Sequence, residues 1–353
     1  MKIAYILHHN ILHLDGVSKK VYRQIKFWSQ NIEVKIFALV PGIIRDVEPE
    51  PNTEVFQYAS LSQRIEATCY LVDSVFQWSP DMIYFRYNPP YPPLARLFRL
   101  FPTIVELNSD DVKQYRWDSL KKYLYNLATR HLVLGRASGI IYNNFELASR
   151  SYNLKYSLPK LILGEGIDLS EYPILPGPSN VYSHLAFIGK SGLIWHGLDK
   201  ILWLAEQQPE VHFDLIGISK TDISRELPGN VQAHGFLPKD DYSRILAQAD
   251  IALGTLALHR IGVNETASLK LREYLAYGLP SVIAHQDPDF SEEDDFIFRL
   301  PNIEDNVRLH MVEIQDFIER FKGRRVSRNL VSYRIDSTIK EQERLEFILN
   351  CVD

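Results

Sequence analysis

Cysteine is almost missing: only Cys69 and Cys351 occur in 353 residues. Two thiols cannot build a disulfide framework, and without a CxxC pair or a Cys/His cluster the chain carries no zinc-ribbon pattern. A reduced, cytoplasmic setting is the simplest expectation. Basic excess is missing too. Lys and Arg number 39 against 44 Asp and Glu, a formal net charge of -5. That balance speaks against a nucleic-acid partner, whose binding domains are strongly basic. No apolar run approaches the roughly 18 residues that a membrane-spanning helix needs. The start MKIAYILHHNILHLDG has a short apolar stretch interrupted by His8 and His9, with no small-residue cleavage site after it. It reads as a buried first strand rather than a secretory signal. There is no low-complexity tract and no short repeat.

What remains is an ordinary globular composition, with 46% hydrophobic, 12% aromatic and 24% charged residues. That suffices for two packed cores in a chain of this length. Short apolar runs alternate with helical patterns. Strands are expected at Lys2–Leu7, Glu33–Leu39, Glu54–Tyr58, Met82–Phe85, Thr103–Leu107 and Gly139–Tyr142. Helices fall between them, at about Val17–Trp28, Gln63–Gln77 and Ser119–Gly135. The alternation pauses in GEGIDLSEYPILPGPSN, which reads as a linker. It restarts with strands at His184–Ile188, Val211–Ile216, Val231–His234, Ile251–Thr255 and Ser281–Ala284. Helices are expected at Leu198–Gln207, Asp241–Gln248, Leu269–Tyr277, Glu304–Phe321 and Thr338–Asn350. Continuous apolar strands alternating with helices predict an α/β fold of parallel sheets covered on both faces. Ligands of such sheets bind at the carboxyl ends of the strands.

One segment carries most of the chemistry. In NETASLKLREYLAYGLP, Glu265 and Glu273 have seven residues between them. Over helix that separation is about 12 Å. One carboxylate then sits at a helix start and the other on the helix face. A ligand with hydroxyls at both ends and an anion between them suits this spacing, as a nucleoside-diphosphate sugar does. Its diphosphate would lie over the N–H groups of Thr266, Ala267, Ser268 and Leu269, at the positive end of the helix dipole. Lys270 either pairs with Glu273 on the same face or reaches that phosphate. Lys190 at a strand end and His196 at the next helix start are further anion candidates, read against a solvated lysine and a capping histidine.

Other features are less specific. Asp15-Gly16-Val17-Ser18 opens a helix; Gly16 permits close backbone approach to a ligand, and an ordinary capped turn explains it equally well. His8, His9 and His13 lack carboxylate or thiol company at ligand spacing, so no metal site is expected. Asp287-Pro288-Asp289 resembles a DxD metal motif but reads as solvated surface in an acidic loop. Residues 111–136 mix Lys113, Arg116, Lys121, Lys122, Arg130 and Arg136 with Trp117, Tyr123, Leu124 and Tyr125. Such a segment either contacts an anionic membrane peripherally or is a normal surface helix.

Together these residues resemble the retaining GT-B glycosyltransferases of the group 1 type, glycosyltransferase family 4. The resemblance runs along nearly the whole chain and is strongest in the second half. Glu265 to Pro280 is similar to the family's E-x7-E element with its E-x-x-A-x-G-x-P tail. Phe187–Gly197 resembles its strand-G-R/K…K-G element, with Lys190 at the basic position. Gly166-Ile167-Asp168 with Tyr172 resembles the stretch entering its second domain, and Asp15-Gly16-Val17 its loop near the donor phosphates. Asp81–Arg86 and Val105–Asn108 resemble strand ends that face the cleft in some bacterial members. The chain departs from the pattern at His196 (often lysine), Asn108 (often histidine), Glu165 (usually asparagine) and Asp15 (usually glycine).

The resemblance implies two Rossmann-like domains facing each other across a cleft. The N-terminal, acceptor-binding domain would span 1–165, a linker 166–180 and the nucleotide-sugar domain 181–334, with 335–353 packing back on the first. It implies a metal-independent transferase of the hexosyl type with no cofactor beyond its donor substrate, acting in bacterial polysaccharide or glycoconjugate synthesis. Glu265, Lys190 and Asn108 would be catalytic. Glu273, Lys270, His196, Gly16 and 266–269 would hold the donor, and Arg86, Tyr87 and Asn10 a glycan or lipid-linked acceptor. The departures keep two alternatives open: a GT-B-shaped scaffold subunit without turnover, and a nucleotide-sugar epimerase.

Overall fold

The computed structural model describes residues 1–13 and 15–351; positions 352 and 353 of the expected C-terminal segment lie outside the described residues. The chain forms two compact units, residues 1–163 with 341–351, and Gly164–Lys340.

In the first unit the strands are β1 (Lys2–His8), β2 (Glu33–Pro41), β3 (Thr53–Tyr58), β4 (Met82–Arg86), β5 (Thr103–Leu107), β6 (Gly139–Tyr142) and β7 (Lys160–Ile162). They form one sheet in the order β3-β2-β1-β4-β5-β6-β7, with every pair parallel. Alternation along the strands divides their side chains between two cores. Ala4, Ile6, Phe37, Ile83, Phe85 and Val105 meet the helix Leu61–Trp78 through Leu71, Val72 and Val75. Ile3, Tyr5, Ile36, Tyr84 and Ile104 meet the helix Gly16–Trp28 through Val21, Ile25 and Trp28. Burial on both faces is why the strands read as unbroken apolar runs.

The end of the C-terminal helix Ser337–Asn350 belongs to this unit. Ile348 joins the second core. Arg344 donates to the Tyr84 hydroxyl at 3.0 Å and to Glu106 at 2.9 Å. The Trp28 indole donates to Glu341 at 3.2 Å. Burial opposes ionisation of Glu106, but Lys20, Arg344 and Arg86 together hold its carboxyl well below the usual carboxylate range.

The second unit repeats the plan with β8 (His184–Ile188), β9 (His212–Ile216), β10 (Val231–Gly235), β11 (Ile251–Leu253), β12 (Ser281–Ile283) and β13 (Ile297–Arg299). Their order is β10-β9-β8-β11-β12-β13, again all parallel. The helix Leu198–Gln207 packs on one face through Ile201, Leu204 and Ala205. Tyr274 and Tyr277 pack on the other, against Ala186 and Ala252. Gly217 has φ +81°, and a Cβ there would lie 2.1 Å from the Gly189 carbonyl oxygen, so the ends of β8 and β9 approach backbone to backbone.

Several details differ from expectation. β7 and β13 are three-residue edge strands, too short to show a period. The expected helix 304–321 is two helices, Asn306–Leu309 and Met311–Phe321. Asn306 anchors the first of them, donating to Leu256 and Pro301 carbonyls at 3.0 and 2.9 Å. The stretch 166–180 is part of the second unit: Ile167 and Leu169 are buried in its core, and Ile167 bridges to Asp336. Asp287-Pro288-Asp289 is not solvated surface. The fully buried Arg272 pairs with both carboxylates, and Lys340 adds a second cation at Asp289. A buried guanidinium without such partners would be costly. Among the described residues, no helix is long and apolar enough to cross a membrane.

Candidate functional site

In each sheet, strand order reverses at one place, between β1 and β4 and between β8 and β11. A crevice opens at the carboxyl ends of strands at such a switch point. In the second unit it is bordered by three segments: the loop after β8, the loop after β11 and the helix Leu269–Ala276.

The loop after β8 runs from Gly189 through the turn Ile194–His196 to Gly197. It is tied to the loop after β11, where the Leu256 N–H donates to the His196 carbonyl at 3.2 Å and the Ala257 N–H to that of Trp195 at 3.1 Å. Arg260 clamps it from outside, donating to the Ile194 carbonyl at 3.1 Å and to Asp199 at 2.8 and 2.7 Å. Inside it, the Lys190 N–H donates to His196 Nδ1 at 3.4 Å. That bond leaves the ring proton on Nε2. Burial, then the nearby Lys270 charge, lowers the His196 pKa to about 4. The ring is therefore neutral at pH 7 and offers one N–H. The Lys190 side chain is exposed.

The helix Leu269–Ala276 starts without a side-chain cap: Ser268 is extended and its hydroxyl makes no capping bond. The first N–H groups of a helix have no intrahelical acceptor, so Ser268 and Leu269, with Ala267 just before them, lie at its positive end. Thr266 does not contribute; its N–H donates to the Gln286 carbonyl at 3.0 Å. That bond, with the Glu265–Gln286 bridge, docks the segment beside the end of β12 and leaves Glu265 8% exposed. Tyr274 fixes the helix to the sheet, accepting from the Ile188 N–H at 2.7 Å and donating to the Leu253 carbonyl at 3.1 Å.

Lys270 is the unusual group. Its Nζ is buried, has no hydrogen-bond partner among the described residues, and lies 4.5 Å from the centre of the Phe187 ring. Burial alone lowers its pKa to about 7. It does not pair with Glu273, although the two share a helix face. Glu273 instead accepts from the Tyr242 hydroxyl at 2.6 Å, and burial raises its pKa. Lys190 and His196 thus share the loop after β8 and Lys270 packs on Phe187 of β8, while Glu273 is held by Tyr242 and Glu265 lies beside Gln286 in the chain after β12.

In the first unit, Asn10 follows β1, Arg86 and Tyr87 end β4, and Asn108 follows β5, which places all four at the carboxyl ends of adjacent strands. Lys20 donates to Asn108 at 3.0 Å and Tyr87 to Asn126 at 2.7 Å. Gly16 opens its helix under a cap: Asp15 accepts from the Val17 and Ser18 N–H groups, each at 2.9 Å. A carboxylate therefore already occupies that helix start.

Sequence reading did not find Tyr242, Arg260 or Arg272. Tyr242 and Arg260 act across more than thirty residues of chain, and no local pattern announces them. Arg272 did leave a signal, a charge in the middle of an otherwise apolar helix face followed by DPD.

No family model matches the chain, and no curated protein does. Solved structures do. Sucrose-phosphate synthase from Thermosynechococcus elongatus is 14% identical with a TM-score of 0.69, the match covering 99% of this chain and 98% of that one. Anabaena HepE in complex with UDP-glucose is 16% identical with a TM-score of 0.66, covering 99% and 100%. The lipopolysaccharide outer core galactosyltransferase WaaB, in its apo form, is 11% identical with a TM-score of 0.69, covering 99% of each. The chain has the GT-B fold of these glycosyltransferases.

Proposed function

We propose that this protein is a retaining glycosyltransferase of the family 4 type, moving a sugar from a nucleoside-diphosphate sugar to a glycan or lipid-linked acceptor. The observation that carries the reading is Lys270. A buried ammonium without a hydrogen-bond partner is costly, and it lies between an uncapped helix start and a neutral histidine N–H. A diphosphate supplies the anion that all three lack. HepE, a similar fold, holds UDP-glucose, which makes UDP the first nucleotide to try.

In this reading the glycosidic C–O bond breaks and its electron pair goes to the departing phosphate oxygen. Lys190, Lys270, the N–H groups of 267–269 and His196 Nε2 stabilise that growing charge. Glu273, held by Tyr242, binds the ribose diol. Glu265 binds sugar hydroxyls and places the anomeric carbon. The acceptor oxygen attacks from the face the phosphate leaves, and its proton passes to a phosphate oxygen. These steps call on no protein nucleophile and no metal. Asn10, Arg86, Tyr87 and Asn108 are the acceptor-side candidates.

The test is nucleoside-diphosphate release from a panel of nucleotide sugars, with and without glycan acceptors. Lys190→Ala and Glu273→Ala should each lower turnover about a hundredfold, the size of a lost transition-state contact. Near wild-type turnover in either variant rejects the site. Donor binding without release in any acceptor points to the scaffold alternative, and epimerised sugar released without acceptor points to the epimerase.

A second observation bears on where the acceptor is met. On the helices Asp111–Asp118 and Leu120–Leu134, Trp117 (68%), Leu120 (69%) and Leu124 (55%) are exposed beside Lys121 and Lys122. Arg130 is not part of this surface; it is buried and paired with Asp111 at 2.9 Å. Apolar side chains ringed by lysines suit an anionic bilayer at the inner face of a cell membrane. Cosedimentation with phosphatidylglycerol vesicles should fall with added salt and with Trp117→Asp. Equal binding to neutral vesicles would remove the electrostatic part of the reading.

A further inference from the structure

The second sheet carries a polar cluster at the end opposite the proposed donor site. His184 is the first residue of β8, His212 the first of β9, and the two are paired across the ladder. Their ring centres are 4.7 Å apart. Side chains two apart on a strand share a face, so Asp214 stands on the same side as His212. His234, on β10, reaches the same carboxylate. His212 Nε2 lies 3.3 Å and His234 Nε2 2.7 Å from Asp214 Oδ1. One ligand-capable atom from each of His184, His212 and Asp214 falls within 4.8 Å of the others.

A surface salt link between one histidine and one aspartate would account for the His234 contact. It does not account for His184 and His212. The two half-buried imidazoles are held ring to ring across the ladder, both on the side of the sheet that carries Asp214. Two adjacent imidazoles sharing one nearly buried carboxylate (Asp214 is 5% exposed) are a metal-ligand set rather than a charge pair. The three come from paired positions of rigid strands, so little ordering remains for binding to supply.

We propose that His184, His212 and Asp214 bind a divalent transition-metal ion, zinc foremost, with water completing the shell. Two imidazoles and one carboxylate with open positions match the ligand chemistry of such ions. His234, bonded to the carboxylate, orients it from the second layer. His212 then carries its ring proton on Nδ1 and turns the Nε2 lone pair to the metal. The five-residue β8 puts roughly 13 Å of strand between His184 and the donor end, so the ion staples β8 to β9 and takes no part in sugar transfer. The proposal stands whether or not the transferase reading does.

The test is titration of metal-stripped full-length protein with Zn2+ by calorimetry and with Co2+ by absorption. Wild type should bind one ion per chain, show the intense d–d bands of low-coordinate Co2+, and gain several degrees in Tm as saturation proceeds. His184→Gln, His212→Gln and Asp214→Asn, which keep side-chain size, should each weaken affinity about a hundredfold while the metal-free Tm stays near wild type. His234→Gln should weaken it about tenfold, as loss of an orienting partner does. UDP binding should be unchanged in all four. Absence of saturable binding overturns the proposal. So does wild-type affinity in both histidine variants, which would place the ion elsewhere, for example at His9 and Asp15.

Discussion

At the scale of single residues, Lys270 sets function against stability. Its pKa of about 7 in the free protein lies far below the ordinary 10.5. The unfolded chain therefore binds more protons than the folded one between those two values. Stability should rise with pH across that window and carry the full penalty below it. Lys270→Met removes the buried charge, so the variant should melt about 2–4 °C higher at pH 7. The gain should fade toward pH 10. The same variant should lose the Tm rise that UDP gives the wild type. A lower Tm at pH 7 would show that the ammonium is satisfied in the fold. For the wild type, UDP affinity should drop as pH rises above 7, because the phosphate needs the protonated amine. His196, already neutral, should add no inflection near pH 6. The sequence singles out the glutamate pair and both lysines as candidates. What each one pairs with was not legible there. Whether Lys270 met Glu273 or an anion was open on spacing alone; the long-range Tyr242 contact shows Glu273 engaged elsewhere.

The helix Leu269–Ala276 shows how one element serves two purposes. Lys270 and Glu273, three residues apart, share one face of it. Arg272 points the other way, into a buried cluster with Asp287 and Asp289. The cluster holds the helix against the chain that follows β12, and with it the uncapped helix start. Arg272→Met leaves Asp287 buried without its cation, and loss of one partner of a buried pair costs about 3–5 kcal/mol. Urea denaturation should show that loss, and UDP binding should weaken as the helix start loosens. The double change Arg272→Met with Asp287→Leu should recover part of the stability, because it removes both charges. If the single variant unfolds like wild type, the cluster is not what holds the helix. At this scale the strands and long helices were readable, since burial on both faces writes continuous apolar runs. The acidic loop was misread because composition cannot tell a solvated carboxylate from one paired with an arginine fifteen residues away.

For the molecule as a whole, the fold persists at 14% identity to its structural relatives. Parallel sheets demand only apolar strands, amphipathic helices and short loops, and many sequences satisfy that. The parts that specify this chain are fewer. One is the return of residues 341–351 to the first unit, where Arg344 bonds Glu106 and Tyr84. Arg344→Met leaves Glu106 short of one of its buried cations, though Lys20 and Arg86 remain. Calorimetry of the whole protein should then resolve a transition of the first unit lowered by several degrees. UDP stabilises only what binds it, so the transition that rises with UDP should belong to the second unit and be unmoved by Arg344→Met. If Arg344→Met lowers the UDP-responsive transition and spares the other, then the C-terminal helix stabilises the nucleotide-binding unit, and the division of the chain into these two units fails.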